Sequence, residues 1–184
     1  MNKPKLIVLA IALAILAGVV IYTLQDRSPV AGFEADGVIL EDVGDGVQSV
    51  VLTFADRGAS RTVTERRDVV VPDDRSGKAR RILEELAKGP EADGVATLPG
   101  GTRILSIVFD DAGGVYVDFS RELVAEHPGG STGELFTIRS VVQTLQHNFP
   151  DVERVQFLVE GREIESIAGH YDAGEPFEVS QFGE

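Results

Sequence analysis

STGELFTIRSVVQTLQHNFPDVERVQFLVEG, running from Ser131 to Gly161, holds a helix, its stop and a strand in one stretch. Leu135, Ile138, Val142, Leu145 and Phe149 recur at steps of three and four, which keeps one side of a helix apolar. Ser131 with Glu134 three residues on has the form of a capping box and predicts the helix start. Asn148, Phe149, Pro150 and Asp151 stop it, because proline cannot continue a helix and restricts the residue before it. Val155 to Val159 then reads as a strand, Glu160, Gly161 and Arg162 as a tight turn, and Ile164 to Ile167 as a short return segment. The helix is too short for a coiled coil, so packing on a sheet is its expected use.

Working upstream, Arg103 to Phe109 and Val115 to Phe119 are two apolar runs joined by Asp110, Asp111, Ala112, Gly113 and Gly114, which is hairpin chemistry. Ser120 is placed to cap a short helix over Glu122 to Ala125. Ser76 to Lys88 carries Ala79, Ile82, Leu83, Leu86 and Ala87 as one amphipathic stripe, ended by Gly89 and Pro90. Gln48 to Phe54 and Thr62 to Val71 flank the turn signal Asp56, Arg57, Gly58 and read as antiparallel partners. Glu91 to Gly101 is a loop. Residues 173–184 read as a coil tail with a short strand near Phe177 to Val179. The expected fold class is α+β, a small mixed or antiparallel sheet packed by two amphipathic helices.

The first residues are of another kind. LIVLAIALAILAGVVIYTL, from Leu6 to Leu24, contains no charge and has the length of helix that crosses a hydrocarbon core. Lys3 and Lys5 precede it and stay in the cytoplasm under the positive-inside rule, which sends everything after Asp26 to the outside. The run is longer than the apolar core of a cleaved secretory signal. Leu16, Ala17 and Gly18 are followed by Val19 and not by the cysteine that lipidation needs. The expected organisation is an anchor over residues 1–25, a flexible tether over 26–47, the domain over 48–172 and the tail over 173–184.

Composition removes several classes of function. The chain of 184 residues has a formal charge of -13, and Lys3 and Lys5 are the only charged side chains before Asp26, so the part beyond the anchor is more acidic still. Phosphate-rich partners require clustered cations, so nucleic acid is not an expected partner. The absence of cysteine excludes a disulfide framework, a thiol nucleophile and a cysteine-based zinc site.

Residues Thr97 to Tyr171 resemble the GerM-type domain family, known from sporulation and spore germination. LPGGTRILSI at Leu98 to Ile107, VYVDFSREL at Val115 to Leu123, the block at Ser131 to Gly161 and GHYD at Gly169 to Asp172 carry the likeness. VVLTFAD, TERRDV and ILEELAKGP extend it upstream over Val50 to Pro90. The resemblance implies two helices on a small sheet, found in single or tandem copies in anchored or lipidated extracytoplasmic proteins. It further implies relatives that build rings or sit beside sensor and cell-wall systems, and it brings no catalytic residue.

The residues themselves offer little chemistry. His127, His147 and His170 lack the H-E-x-x-H spacing of a zinc site. His170 and Asp172 are placed to share a metal, or to act as base and orienter towards Ser166 or Ser180, although no G-x-S-x-G turn is present. Asp110 and Asp111 admit a metal reading or a turn-forming one. Glu84 with Glu85 and Glu163 with Glu165 admit a glycosidase reading or service to solubility. Gly113 with Gly114 and Gly129 with Gly130 lack the phosphate-loop lysine and read as turns.

No catalytic, metal-ligating or cofactor-binding set is therefore expected, and no cofactor. The expected function is a non-enzymatic, membrane-tethered interaction or assembly module on the outer side of the cytoplasmic membrane, contacting an envelope protein or itself. The alternative is a peptidoglycan-binding or cell-wall-modifying protein using acids near His170, with Asp172 and Glu175.

Overall fold

Val50, Leu52 and Phe54 are almost wholly buried on one face of a strand, and Thr53 and Ala55 on its other face are buried as well, so the strand is covered on both sides towards its end. A computed structural model describes residues 46–182 and places them in β1, Gly46–Ala55, paired antiparallel with β2, Thr62–Val71, in an unbroken register from Gly46↔Val71 to Ala55↔Thr62. The expected span Leu6 to Leu24 lies outside the described residues, and among those described no helix is long and apolar enough to cross a membrane.

Helix α1, Arg75–Ala87, begins where the Asp74 carboxylate accepts the Gly77 N–H at 2.6 Å. Its expected stripe is buried through Ala79, Ile82, Leu83 and Leu86, and Gly89 takes a left-handed φ of 85° after its end. The helix packs against the β1–β2 hairpin and against β3, Ile104–Phe109.

Strand β3 pairs antiparallel with β4, Gly114–Phe119, with a bulge between Ile104 and Ser106. Short helix α2, Glu122–Ala125, and long helix α3, Ser131–Asn148, then carry the chain to β5, Arg154–Val159, which lies parallel to β4. β4, α3 and β5 thus form one βαβ unit, and the second sheet is mixed, in the order β3-β4-β5-β6. β6, Arg162–Glu163, is reached by a two-residue turn in which Glu160 and Gly161 both have positive φ, the form that suits the twist of a hairpin.

Four local expectations are corrected. The return after Gly161 pairs only at Arg162 and Glu163, and Ile164 to Ile167 leaves the sheet so that Ile167 can enter the core. In the segment 173–184 the strand expected near Phe177 to Val179 is present as β7, Phe177–Glu178, paired with β5, but a 3-10 turn, Val179–Phe182, stands where coil was expected. Phe157, Phe177 and Phe182 meet edge to face at centroid distances of 5.5 and 6.0 Å, which holds that segment on the sheet. Ser120 does not cap α2 through its side chain, because its hydroxyl accepts the Arg103 N–H at 3.0 Å. Finally, α3 is not a helix with one dry side. From Phe136 to Leu145 it is buried at every residue except the half-buried Arg139.

Candidate functional site

The polar residues of α3 decide what surrounds it. Thr137, Ser140, Thr144, His147 and Asn148 lie on one stripe of the helix, and each has a hydrogen-bond partner on β1 or on the loop through Thr97. Asn148 Oδ1 accepts the Val51 N–H at 3.1 Å while its Nδ2 donates to the Val51 carbonyl at 2.7 Å. Thr144 Oγ1 accepts the Thr53 N–H at 3.0 Å, and the Ala55 carbonyl accepts the Val95 N–H at 2.9 Å. The outer edge of β1 is thereby closed from Val51 to Ala55 by side chains and one loop residue. An unpaired strand edge would otherwise expose its backbone groups to any passing chain.

A cleft of about 450 Å³ lies at the N-terminal end of α3, between the β1–β2 turn, residues 95–100 and the segment from Glu126 to Thr137. Ala55, Leu98 and Phe136 supply apolar lining, and His127, Thr132 and Thr137 polar lining. The Gly129 N–H donates to His127 Nδ1 at 3.0 Å, which requires a bare nitrogen there and places the ring proton on Nε2. Nε2 donates to Thr137 Oγ1 at 3.0 Å, and Thr137 in turn donates to the Thr97 carbonyl at 2.6 Å. Burial holds the His127 pKa below its ordinary value, opposed by the charge of Glu134. His127 is thus a neutral structural ring.

Two successive left-handed glycines, Gly129 at φ 82° and Gly130 at φ 81°, turn the chain into α3. Gly130 is the N-cap and has no side chain to accept a helix N–H, so the capping box expected at Ser131 and Glu134 does not form. The Glu134 carboxylate, wholly buried, turns away from the helix end. It accepts the N–H groups of Ile167, Ala168 and His170 at 3.1, 3.0 and 2.9 Å, and it meets His170 Nδ1 at 3.1 Å. Burial raises its pKa, yet the backbone amides of Ala168, His170 and Tyr171 and the His170 ring together hold it below the usual carboxylate range.

The remaining candidates are spread apart. The carboxylate that orients His170 is Glu134 and not Asp172, whose Oδ1 accepts the Gly174 N–H at 3.0 Å. Ser166 Oγ accepts the Gly169 N–H at 2.7 Å in a turn, while Ser180 and Glu175 are exposed. His147 meets Thr53 Oγ1 at 3.3 Å. Among the described residues no group of three or more metal-ligating side chains converges.

Asp110 is a turn former: its Oδ1 accepts the Ala112 and Gly114 N–H groups at 2.8 and 2.6 Å, its Oδ2 pairs with Arg154 at 3.0 Å, and Asp111 is exposed beside it. A side chain at Gly114 would strike that carboxylate, its Cβ falling 2.3 Å from Asp110 Oδ2. Glu84 pairs with Arg80 at 3.1 Å on the surface, but Glu85 is buried with Arg67 at 3.2 Å and Lys88 at 2.6 Å. Glu163 and Glu165 are exposed.

Glu134, Asn148 and Arg67 are the structurally decisive polar residues that pattern reading missed. One signal was present: between Leu135 and Phe149 the only formally charged residue is Arg139, too little charge for a solvent face in a chain that is 26% charged.

Two sheets joined through a polar-striped central helix, with one strand edge closed by that helix, define a single-copy α+β module. The chain belongs to the Germane family, described as sporulation and spore germination, whose profile matches residues 47–165. Comparison with curated proteins finds no match.

Among solved structures the chain is similar to the tandem GerMN domains of the sporulation protein GerM from Bacillus subtilis, at 20% identity and a TM-score of 0.59. That match covers 74% of this chain and 48% of the other, so the chain spans about half of the tandem pair. The first GerMN domain of the same protein matches at 19% identity and a TM-score of 0.51, over 68% of this chain and 96% of that one. A candidate lipoprotein from Clostridium perfringens matches at 20% identity and a TM-score of 0.52, over 73% and 87%. At such identities these likenesses establish the fold.

Proposed function

We propose that this chain is a membrane-tethered extracytoplasmic GerM-type domain that acts as an interaction or assembly module of the cell envelope, in a setting related to sporulation or germination. The observation that carries this reading is the use made of the chemically capable side chains. His127, Glu134, Asp110 and Arg67 all spend their hydrogen bonds on holding the fold, and His170 is bound to Glu134. The apolar run from Leu6 to Leu24 behind Lys3 and Lys5 supports the tether and its orientation. The relatives described as a sporulation protein and a candidate lipoprotein support the envelope setting. Crosslinking of the full-length chain in its own membranes should capture a defined neighbour or a multimer; recovery of monomer alone, repeated over crosslinkers of different reach, would sink the reading.

A second reading, peptidoglycan binding, is favoured by the cleft of about 450 Å³ beside His127, which has the mixed apolar and polar lining of a ligand pocket. Sedimentation with purified sacculi separates the two. Co-sedimentation that Phe136→Ala weakens would favour glycan or stem-peptide binding, and an unbound protein would leave the interaction module alone.

A further inference from the structure

The two edges of the β1–β2 hairpin are unlike. β1 is closed at Val51, Thr53 and Ala55, whereas among the described residues no hydrogen bond reaches the outer edge of β2 along its ten residues. A groove of about 500 Å³ lies along β2 from Arg66 to Val70, bounded across from it by Arg81 and Glu91. An open edge of this length is a template for a further strand.

We propose that a second copy of this chain occupies it, β2 pairing antiparallel with β2 about a two-fold axis at Arg67, so that the two hairpins form one four-stranded sheet. The proposal rests on the reading of an interaction module and names its surface. Charge selects the register. Thr64, Arg66, Asp68 and Val70 alternate on the exposed face of β2, Val70 at 47% exposure. In an antiparallel homotypic pair, residues on one face oppose each other in combinations fixed by the axis. An axis at Arg67 sets Arg66 against the partner's Asp68 and Asp68 against the partner's Arg66, with Thr64 over the partner's Val70. An axis at 66 or 68 sets Arg66 or Asp68 against its own copy, and an axis at 65 pairs both charges with threonine.

Arg67 itself brings no repulsion to the axis. Its guanidinium is buried and held by the carboxylates of Glu65 and Glu85 and by the carbonyls of Glu85 and Gly89. Val70 is the cross-strand neighbour of Val47, itself 68% exposed, so the pairing also covers an apolar pair at the open end of the hairpin. Closure of the β1 edge from Val51 to Ala55 by α3 and Val95 opposes growth beyond a dimer, since it removes that half of the second hairpin edge as a template.

The test uses the full-length chain in its membrane with Thr64→Cys and Val70→Cys introduced together. The protein has no cysteine of its own. Positions 64 and 70 are separated by roughly 20 Å along one strand, beyond the roughly 7 Å that a disulfide can bridge, so any disulfide joins two copies. Mild oxidation should give a covalent dimer of doubled mass from the double variant and from neither single variant. Adding Arg66→Asp should abolish the dimer, and adding Asp68→Arg to that should restore it.

A double variant that melts like the parent and stays monomeric overturns the proposal, as does dimer formed by Thr64→Cys alone, which would place the axis elsewhere. If the cysteine pair prevents folding, the charge series decides by amine-independent photocrosslinking of dimer: lost in Arg66→Asp and in Asp68→Arg, regained in the combination, or else the proposal fails. A different protein captured by the introduced cysteines also overturns it while leaving the interaction module standing. Absence of both dimer and neighbour removes both.

Discussion

Asn148 stands in for a neighbouring strand at Val51: its amide accepts the Val51 N–H at 3.1 Å and donates to the Val51 carbonyl at 2.7 Å, and the same Nδ2 reaches the Thr144 carbonyl at 2.7 Å. A helix side chain thereby satisfies both backbone groups of an edge residue. Removing it leaves a partly buried donor and acceptor unpaired, at a cost of about 1–3 kcal/mol. Asn148→Leu should lower the urea midpoint accordingly without changing its slope, and Asn148→Asp, which keeps only the acceptor, should fall between the two. A variant as stable as the parent would show that the edge is satisfied otherwise.

Glu134 links α3 to the segment from Ile167 to His170, and its folded-state pKa lies below its unfolded one because amides and the His170 ring outweigh the penalty of burial. A carboxylate with a depressed folded pKa contributes stability that is present above the unfolded value of about 4.3 and is lost as pH falls through the folded one. Acid unfolding should therefore have a steep component below about pH 4. Glu134→Gln should flatten that component and destabilise the protein at neutral pH, since the amide NH₂ would face the N–H groups the carboxylate now accepts. Circular dichroism across pH 2 to 7, expressed as about 1.4 kcal/mol for each tenfold change in the unfolding constant, reads both effects.

His127 should titrate below the ordinary histidine value of about 6.5, because burial disfavours its charged form and Nδ1 accepts from Gly129. Its depressed pKa means that it, too, stabilises above the unfolded value and ceases to do so as pH falls through the folded one. Nitrogen-15 NMR of the ring should find the proton on Nε2 at neutral pH. A ring protonated on Nδ1 at pH 7 would contradict the network with Thr137 and Thr97.

Ala59 takes a left-handed φ of 49° in the β1–β2 turn, although Gly58 stands beside it in sequence. The Cβ costs roughly 1–2 kcal/mol in that conformation, partly offset by the greater freedom glycine has when unfolded. Ala59→Gly should stabilise by about 0.5–1 kcal/mol, seen as a raised melting temperature, while Gly58→Ala should have the smaller effect, since a Cβ there meets nothing closer than 3.7 Å.

Local pattern was a reliable guide wherever one signal dominated. The density of Val, Leu, Thr and Phe in Gln48 to Phe54, the stripe from Ala79 to Leu86 and Gly89 after it each had a single reading, and each holds in the structure. It failed at Ser131 and Glu134, where the capping-box spacing is present but Gly129 and Gly130 set the entry to the helix and Glu134 finds more hydrogen bonds elsewhere. It carries no signal for the roles of Thr137, Thr144 and Asn148, whose partners on β1 and at Thr97 are brought to them only by the fold. Candidate chemistry at His170 was placed with Asp172 by nearness in sequence, whereas a carboxylate 36 residues away holds the ring.

The sequence by itself determined the element order, the α+β class, the Germane family and the acidic, cysteine-free character of the chain. These are written in periodicity, turn residues and composition, which act over a few neighbouring positions. Tertiary structure alone decided which polar groups meet. The parallel pairing of β4 with β5, the closing of β1 by Asn148 and Thr144, the burial of Glu134 and the entry of Phe177 and Phe182 into the core all join residues distant in the chain. A hydrogen bond or an ion pair depends on a partner within about 3 Å, and only the fold brings such partners together.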